Sequence, residues 1–335
     1  MLKCLLLTSA AIVVMAASAF AADDKPAIVF DIGGKFDKSF NESMFNGSEK
    51  FKKDTGIQYG EFEISNEAQR EQALRSFADK GYSPIIAAGF AQAEALGKVA
   101  KDYPDLKFAI VDMVVDLPNV QSIVFKEHEG SYLTGMMAAL ASKTGKVGFV
   151  GGMDIPLIHK FACGYVQGVK AVKADDAVFQ NMVGDTGAAW NDPVKAGEIT
   201  KGQMAKGADV VYAAAGGSGL GVLQAAADGG GLAIGVDANQ NYLHPGKVLT
   251  SMMKRVDVAV YNVMQSSKDG KFVGGVKNIQ ALGLKEGGVD YAMDDNNKAL
   301  VTDDMKAKVE AAKADIISGK LKVHDYMEDS KCPVE

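Results

Sequence analysis

The chain has 335 residues, with 36 Lys and Arg against 42 Asp and Glu, a formal charge of −6 and 47% hydrophobic residues. That length exceeds what one hydrophobic core usually fills, so two lobes are expected. The basic side chains are scattered, which excludes a nucleic-acid surface, because phosphate neutralisation needs a clustered basic patch.

Met1-Leu2-Lys3 is a short positive start, no charged residue occurs from Leu5 to Ala19, and Ala19-Phe20-Ala21 is a small-x-small site. This reads as a secretory signal peptide over residues 1–21, cleaved after Ala21. The apolar run is shorter than the ~20 residues a membrane span needs. Cleavage removes Lys3 and no acid, which takes the formal charge from −6 to −7. Cys4 leaves with the peptide, and Ala22 follows the cleavage site, so a free periplasmic protein is expected rather than a lipoprotein. Cys163 and Cys332 remain, and export permits a disulfide between them.

The mature chain then alternates short apolar runs with helical segments. The pattern predicts a strand over Ala27–Ile32 running into Gly33-Gly34, a helix over Ser39–Thr55, a strand over Tyr59–Ile64 and a helix over Glu67–Lys80. Strands follow at Pro84–Ala88, Lys107–Val111 and Val120–Phe125, with a helix over Gln92–Asp102. The rhythm restarts with a helix over Tyr132–Ser142, a strand over Lys146–Val150, a helix over Ile158–Val172 and a strand over Val178–Val183. A helix over Pro193–Lys206, strand Val210–Ala214, helix Leu220–Ala227, and strands Leu232–Val236 and Val248–Met253 complete a second unit. The tail holds a helix over Val256–Ser266, apolar runs at Asn278–Leu284 and Val289–Met293, and a helix from about Thr302 to Ser318. Such βαβ alternation means mostly parallel sheets covered by helices. Two similar units without a linker between them suggest a cleft.

Ligands of open parallel sheets bind beyond the carboxyl ends of the strands. The residues that follow the strands here include Phe36, Asp37, Ser39, Asn41, Phe90, Asp112, Trp190, Gly216, Gly217, Asp237 and Lys254. Carboxylates accept from hydroxyl and N–H donors, aromatic faces stack on a flat ring, and Lys254 donates. That set suits a neutral polar ligand with a ring and would repel a multiply charged anion. Each residue has a plainer role open to it: Asp37 and Ser39 as helix caps, Asp112 and Asp237 as turn formers, Phe36 as core, Lys254 as a solvated side chain.

No HExxH, CxxC, G-x-S-x-G, P-loop or G-x-G-x-x-G pattern occurs, and the four histidines share no ligand spacing. Neither a cofactor nor a metal is expected.

Asp37-Lys38-Ser39-Phe40-Asn41 with Gly47 resembles the basic membrane protein family of ABC-transporter substrate-binding proteins. The resemblance continues through Ala109-Ile110-Val111-Asp112, Lys143-Thr144-Gly145-Lys146-Val147-Gly148-Phe149-Val150-Gly151-Gly152, Ile234-Gly235-Val236-Asp237 and Leu249-Thr250-Ser251-Met252-Met253-Lys254. It implies an α/β type I periplasmic-binding-protein fold: two similar three-layer lobes joined by a hinge of three crossover segments. The lobes are then expected over 22–144 plus about 255–285, and over 145–254 plus about 286–335. It also implies a monomeric, non-enzymatic receptor that serves an inner-membrane ABC permease. In the family's nucleoside receptors two rings sandwich a purine, Asp and Asn recognise the base, and a second Asp and a Lys hold the ribose. The matching residues are Asp112, Asn41, Asp237 and Lys254, with Trp190 and Phe36 as rings. Asn239 stands where the family often has Asp. Readings left open are another heterocycle (riboflavin-like or a free base such as adenine), a sugar, a nucleoside-processing enzyme, and a signalling receptor.

Overall fold

The computed structural model describes residues 25–334, so the expected signal peptide over 1–21 lies outside the described residues. Among the described residues, twelve strands fall into two six-stranded sheets. The first is built from β1 (Ala27–Phe30), β2 (Gly60–Glu63), β3 (Ile85–Ala87), β4 (Phe108–Val111) and β5 (Val120–Phe125), with α1 (Phe40–Thr55), α2 (Gln69–Asp79) and α3 (Ala93–Asp102) between them. Its order is β2-β1-β3-β4-β5-β11, parallel throughout, where β11 is Gln280–Leu282.

The second sheet takes β6 (Lys146–Met153), β7 (Ala177–Gly184), β8 (Val210–Ala214), β9 (Leu232–Asp237), β10 (Val248–Lys254) and β12 (Val289–Tyr291) in the order β7-β6-β8-β9-β10-β12. Only β12 runs antiparallel to its neighbour. The helices of this half of the chain are α4 (Glu127–Ala141), α5 (Pro156–Val172), α6 (Pro193–Ala205) and α7 (Gly219–Asp228), followed by α8 (Val256–Lys268) and α9 (Asp303–Ile317). None of the described helices is long and apolar enough to cross a membrane.

Strand alternation makes each lobe three layers thick, because successive side chains point to opposite faces. Ile28 and Phe30 pack with Met44 and Phe51 of α1 and Val260 of α8. Ala27 and Val29, on the other face, pack with Leu74 of α2 and Val99 of α3. In the second sheet Phe149 and Tyr212 meet Leu133 of α4 and Tyr165 of α5, while Val211 and Ala213 meet Ala196 of α6 and Val222 of α7.

The chain passes from the first lobe to the second earlier than expected. The sequence reading kept residues up to Thr144 in the first lobe, with a helix beginning at Tyr132. The helix begins at Glu127 and packs on α5, β10, β12 and α9, all elements of the second lobe. The two backbones meet at Gly135, where an added Cβ would lie 2.1 Å from the Tyr165 carbonyl oxygen. The crossing is therefore at Lys126. A second crossing follows β10 at Arg255, after which α8 packs on α1. A third runs between β11 and β12. The three segments are stitched together: the Lys126 amide donates to the Leu282 carbonyl at 3.0 Å, and the Arg255 amide to the Gly288 carbonyl at 2.8 Å.

Candidate functional site

A cavity between the lobes encloses about 610 Å³ of atom-free space, the open solvent at its mouth included. Strand ends supply its polar wall. Asp31, Asp112 and Asp237 sit at the carboxyl ends of β1, β4 and β9, and all three line it. Asp112 and Asp237 have φ of 70° and 63°, a left-handed conformation that Asp tolerates better than most residues.

Lys254, at the end of β10, is 2% exposed and bridges the lobes. Its Nζ lies 2.7 Å from the Asp112 carboxylate and 3.0 Å from Glu127 Oε1. The rings of Phe125, Phe40 and Phe161 surround it, with centroids 5.1, 5.3 and 5.6 Å away, inside the range of cation–π attraction. Burial works against the Lys254 charge, but Asp112, Glu127 and Asp237 outweigh it and hold the pKa above the ordinary lysine value. For the carboxylates burial prevails. Burial pushes Asp112 and Asp237 up to about 6, although Lys254 pulls each down.

The lobes touch around the cavity. Ser39 Oγ of the first lobe donates to Asp237 Oδ2 of the second at 2.5 Å, and Gln240 Nε2 donates to the Lys38 carbonyl at 3.0 Å. Gly217, outside the cavity wall, sits in this contact, where an added Cβ would lie 3.1 Å from the Trp190 carbonyl and 3.7 Å from Asp37 Cβ.

Trp190 ends a 3-10 turn, Gly187–Trp190, and lines the cavity. Its indole lies on Gly152, where a Cβ would be 2.3 Å from ring atom Cζ3. Phe40, Phe90, Phe161 and Gly216 also line the cavity.

Ser39 and Gly217, expected at the ligand, do not line the cavity, and three further residues sit differently from the sequence reading. Phe36 does not line the cavity: its ring is 59% exposed and meets Phe45 edge-on at 5.3 Å. The rings that line the cavity from the first lobe are Phe40 and Phe90. Asp37 reaches the wall but caps α1, accepting from the amides of Ser39 (2.8 Å), Asn41 (3.0 Å) and Glu42 (3.1 Å). Asn41 also lines the cavity, yet its amide is spent on backbone. Its Oδ1 accepts from the Asp31 amide, and its Nδ2 donates to the Asp31 and Gly34 carbonyls, all at 3.2 Å. Asn239 turns away from the cavity to donate to Asp294 Oδ2 at 2.6 Å.

Asp31 and Glu127 were missed by the sequence reading. Asp31 was absorbed into the strand AIVFDI, although it follows an apolar strand just as Asp112 does. Glu127 carries no local signal. Cys163 of α5 and Cys332 are joined as a disulfide, with Cα atoms 5.5 Å apart.

A family model described as "ABC transporter substrate-binding protein PnrA-like" matches residues 25–325. The chain belongs to this Bmp family. It is 37% identical over 325 residues to the "ABC transporter nucleoside-binding protein BmpA" of Lactococcus lactis subsp. cremoris, covering 90% of this chain and 89% of that one. It is 35% identical to a "CD4+ T-cell-stimulating antigen" of Listeria monocytogenes, with 89% and 87% covered. Among solved structures, an ABC-transporter solute-binding protein from Aeropyrum pernix superposes with a TM-score of 0.81 at 29% identity, covering 89% of this chain and 92% of that one. The two-lobed α/β fold is thus the type I periplasmic-binding-protein architecture, and the Bmp chain is the substrate-binding component of an ABC importer.

Proposed function

We propose that this Bmp protein captures a purine nucleoside between its lobes and hands it, chemically unchanged, to a membrane permease. The observation that carries the reading is the pairing of strand-end carboxylates from opposite lobes, Asp112 and Asp237, around Lys254 in a cavity walled by Trp190, Phe40 and Phe90. Ribose hydroxyls and purine N–H groups are donors, which the carboxylates accept, and a purine offers two flat faces to the rings. The cavity holds more carboxylates than ammonium groups, which disfavours nucleotides. The 37% identity to a protein named nucleoside-binding supports the same ligand class. Capture takes place outside the cytoplasmic membrane. No chemical step is assigned to the carboxylates.

Trp190 is the sole tryptophan, so its fluorescence reports on the cavity alone. Ligand-stripped protein should respond to inosine, guanosine or adenosine at concentrations far below those of ribose. A response to riboflavin or a sugar with none to any nucleoside would replace the proposed ligand.

A further inference from the structure

Glu127 is 1% exposed and is the first residue of α4, on the first crossing between the lobes. It does not line the cavity, but its carboxylate reaches two lysines: Oε1 lies 3.0 Å from Lys254 Nζ, and Oε2 lies 3.1 Å from Lys160 Nζ. Lys160, on α5, is held in turn. It donates to the Phe125 carbonyl at 2.7 Å and pairs with Asp325 Oδ2 at 3.3 Å. Asp325 belongs to the C-terminal segment, which Cys332 ties back to Cys163 of α5.

The two carboxylates on Lys254 come from different lobes. Asp112 follows β4 of the first sheet, so it leaves Lys254 when the lobes part. Glu127 stays, because α4 packs against β10, the strand that carries Lys254. A buried ammonium stripped of its partners either loses its proton or swings towards water. We infer that Glu127 is a positioning residue of the ligand site, holding Lys254 charged and directed into the cavity in the open form as well as the closed one. This rests on the reading of the interlobe cavity as the ligand site. The ligand then meets a donor already in place, and binding is spared the cost of ordering it. The charge of Lys254 is also balanced from within the protein, so the ligand need not supply an anion.

The test is Glu127→Gln in the full chain, which keeps the shape and one acceptor and removes the charge. Two quantities are read. One is the affinity of ligand-stripped protein for inosine. The other is the rate at which a trace amine-acylating reagent modifies Lys254 in unliganded protein, followed by peptide mass spectrometry. The expected result is roughly 10- to 100-fold weaker inosine binding, and Lys254 modified about tenfold faster for each unit by which its pKa falls. Glu127→Asp, which keeps the charge on a shorter arm, should recover much of both. Should Glu127→Gln fail to fold because Lys160 loses one of its two carboxylates, Glu127→Gln with Lys160→Met removes both charges and is read in the same way. Unchanged Lys254 reactivity overturns the inference, and it does so even with weaker inosine binding, which would then mark a merely structural role. If stripped wild-type protein binds no inosine, the nucleoside reading fails, and Lys254 reactivity alone decides the role of Glu127.

Discussion

Gly152→Ala is the smallest change that should disturb the ligand site without touching a polar group. A Cβ at residue 152 would lie 2.3 Å from Trp190 Cζ3 and 2.5 Å from Cε3, where carbon atoms normally rest ~3.5–4.0 Å apart. The indole must therefore retreat by roughly 1.2 Å. Backbone flanks the side chain elsewhere: Cβ atoms built on Gly33 and Gly216 would lie 3.7 Å from its Cβ and 3.6 Å from its Cε3. The ring should tilt into the cavity. Overpacking of this kind costs about 1–3 kcal/mol of stability. Loss of a well-placed stacking face costs about 1–3 kcal/mol of binding, roughly a 5- to 150-fold rise in Kd. Fluorescence of the sole tryptophan and titration calorimetry with inosine measure the two effects on one sample. Gly202→Ala is the control: a Cβ there meets nothing within 4 Å, and in helix α6 it should be neutral or slightly stabilising. Unchanged emission and a Kd within about twofold of wild type for Gly152→Ala would refute the packing argument.

The strand-end carboxylates should separate base from sugar: Asp237→Ala should weaken nucleoside by about 2–5 kcal/mol and free base little, whereas Asp112→Ala should weaken both. Calorimetry against inosine and hypoxanthine decides, and equal losses for Asp237→Ala would reverse the assignment. Burial raises Asp237 to about 6, so the folded form keeps a proton that the unfolded chain gives up near 3.8. Its contribution to stability is present below pH 3.8 and is lost as pH rises through 6. Asp237→Asn, which mimics the protonated group, should thus raise Tm more at pH 7 than at pH 4, and an equal change at both would contradict this. The Cys163–Cys332 disulfide closes a loop spanning 169 residues, and Cys332→Ser should cost about 2–4 kcal/mol of stability. Intact mass before and after reduction should differ by two hydrogens, and two freely alkylated thiols in unreduced protein would show that the pair does not form.

The fold was legible because its signals are local. Apolar runs such as Phe108–Val111 end on a polar residue, and α1 begins just behind Asp37, a residue whose capping role was open from the sequence. Strand ends also pointed to the cavity, since parallel sheets place Asp112 at the rim of one lobe and Asp237 and Lys254 at the rim of the other. What sequence hides is direction and partnership. Phe36 stands one residue before the Asp37 cap, but the chain turns there, with Lys38 at φ 61°, and the ring faces Phe45 instead of the cavity. Alternation revealed the helix of the fourth βα unit but not the sheet it packs on, so the crossing at Lys126 was placed at Thr144. The link from Glu127 to Lys254 joins residues on different elements, which no periodicity records. Asn41 was legible as a residue near the cavity, but not as one whose amide is consumed by the Asp31 and Gly34 backbone.

The central claim is that the cavity holds a purine nucleoside. Mass spectrometry of the small molecules released when exported protein is denatured directly after purification tests it without any assumed ligand. The account predicts an intact purine nucleoside, released in an amount approaching that of the protein and lost from a variant in which both Asp112 and Asp237 are replaced by Ala. A flavin, a sugar or a free base in its place, released from wild type and not from that variant, would contradict it.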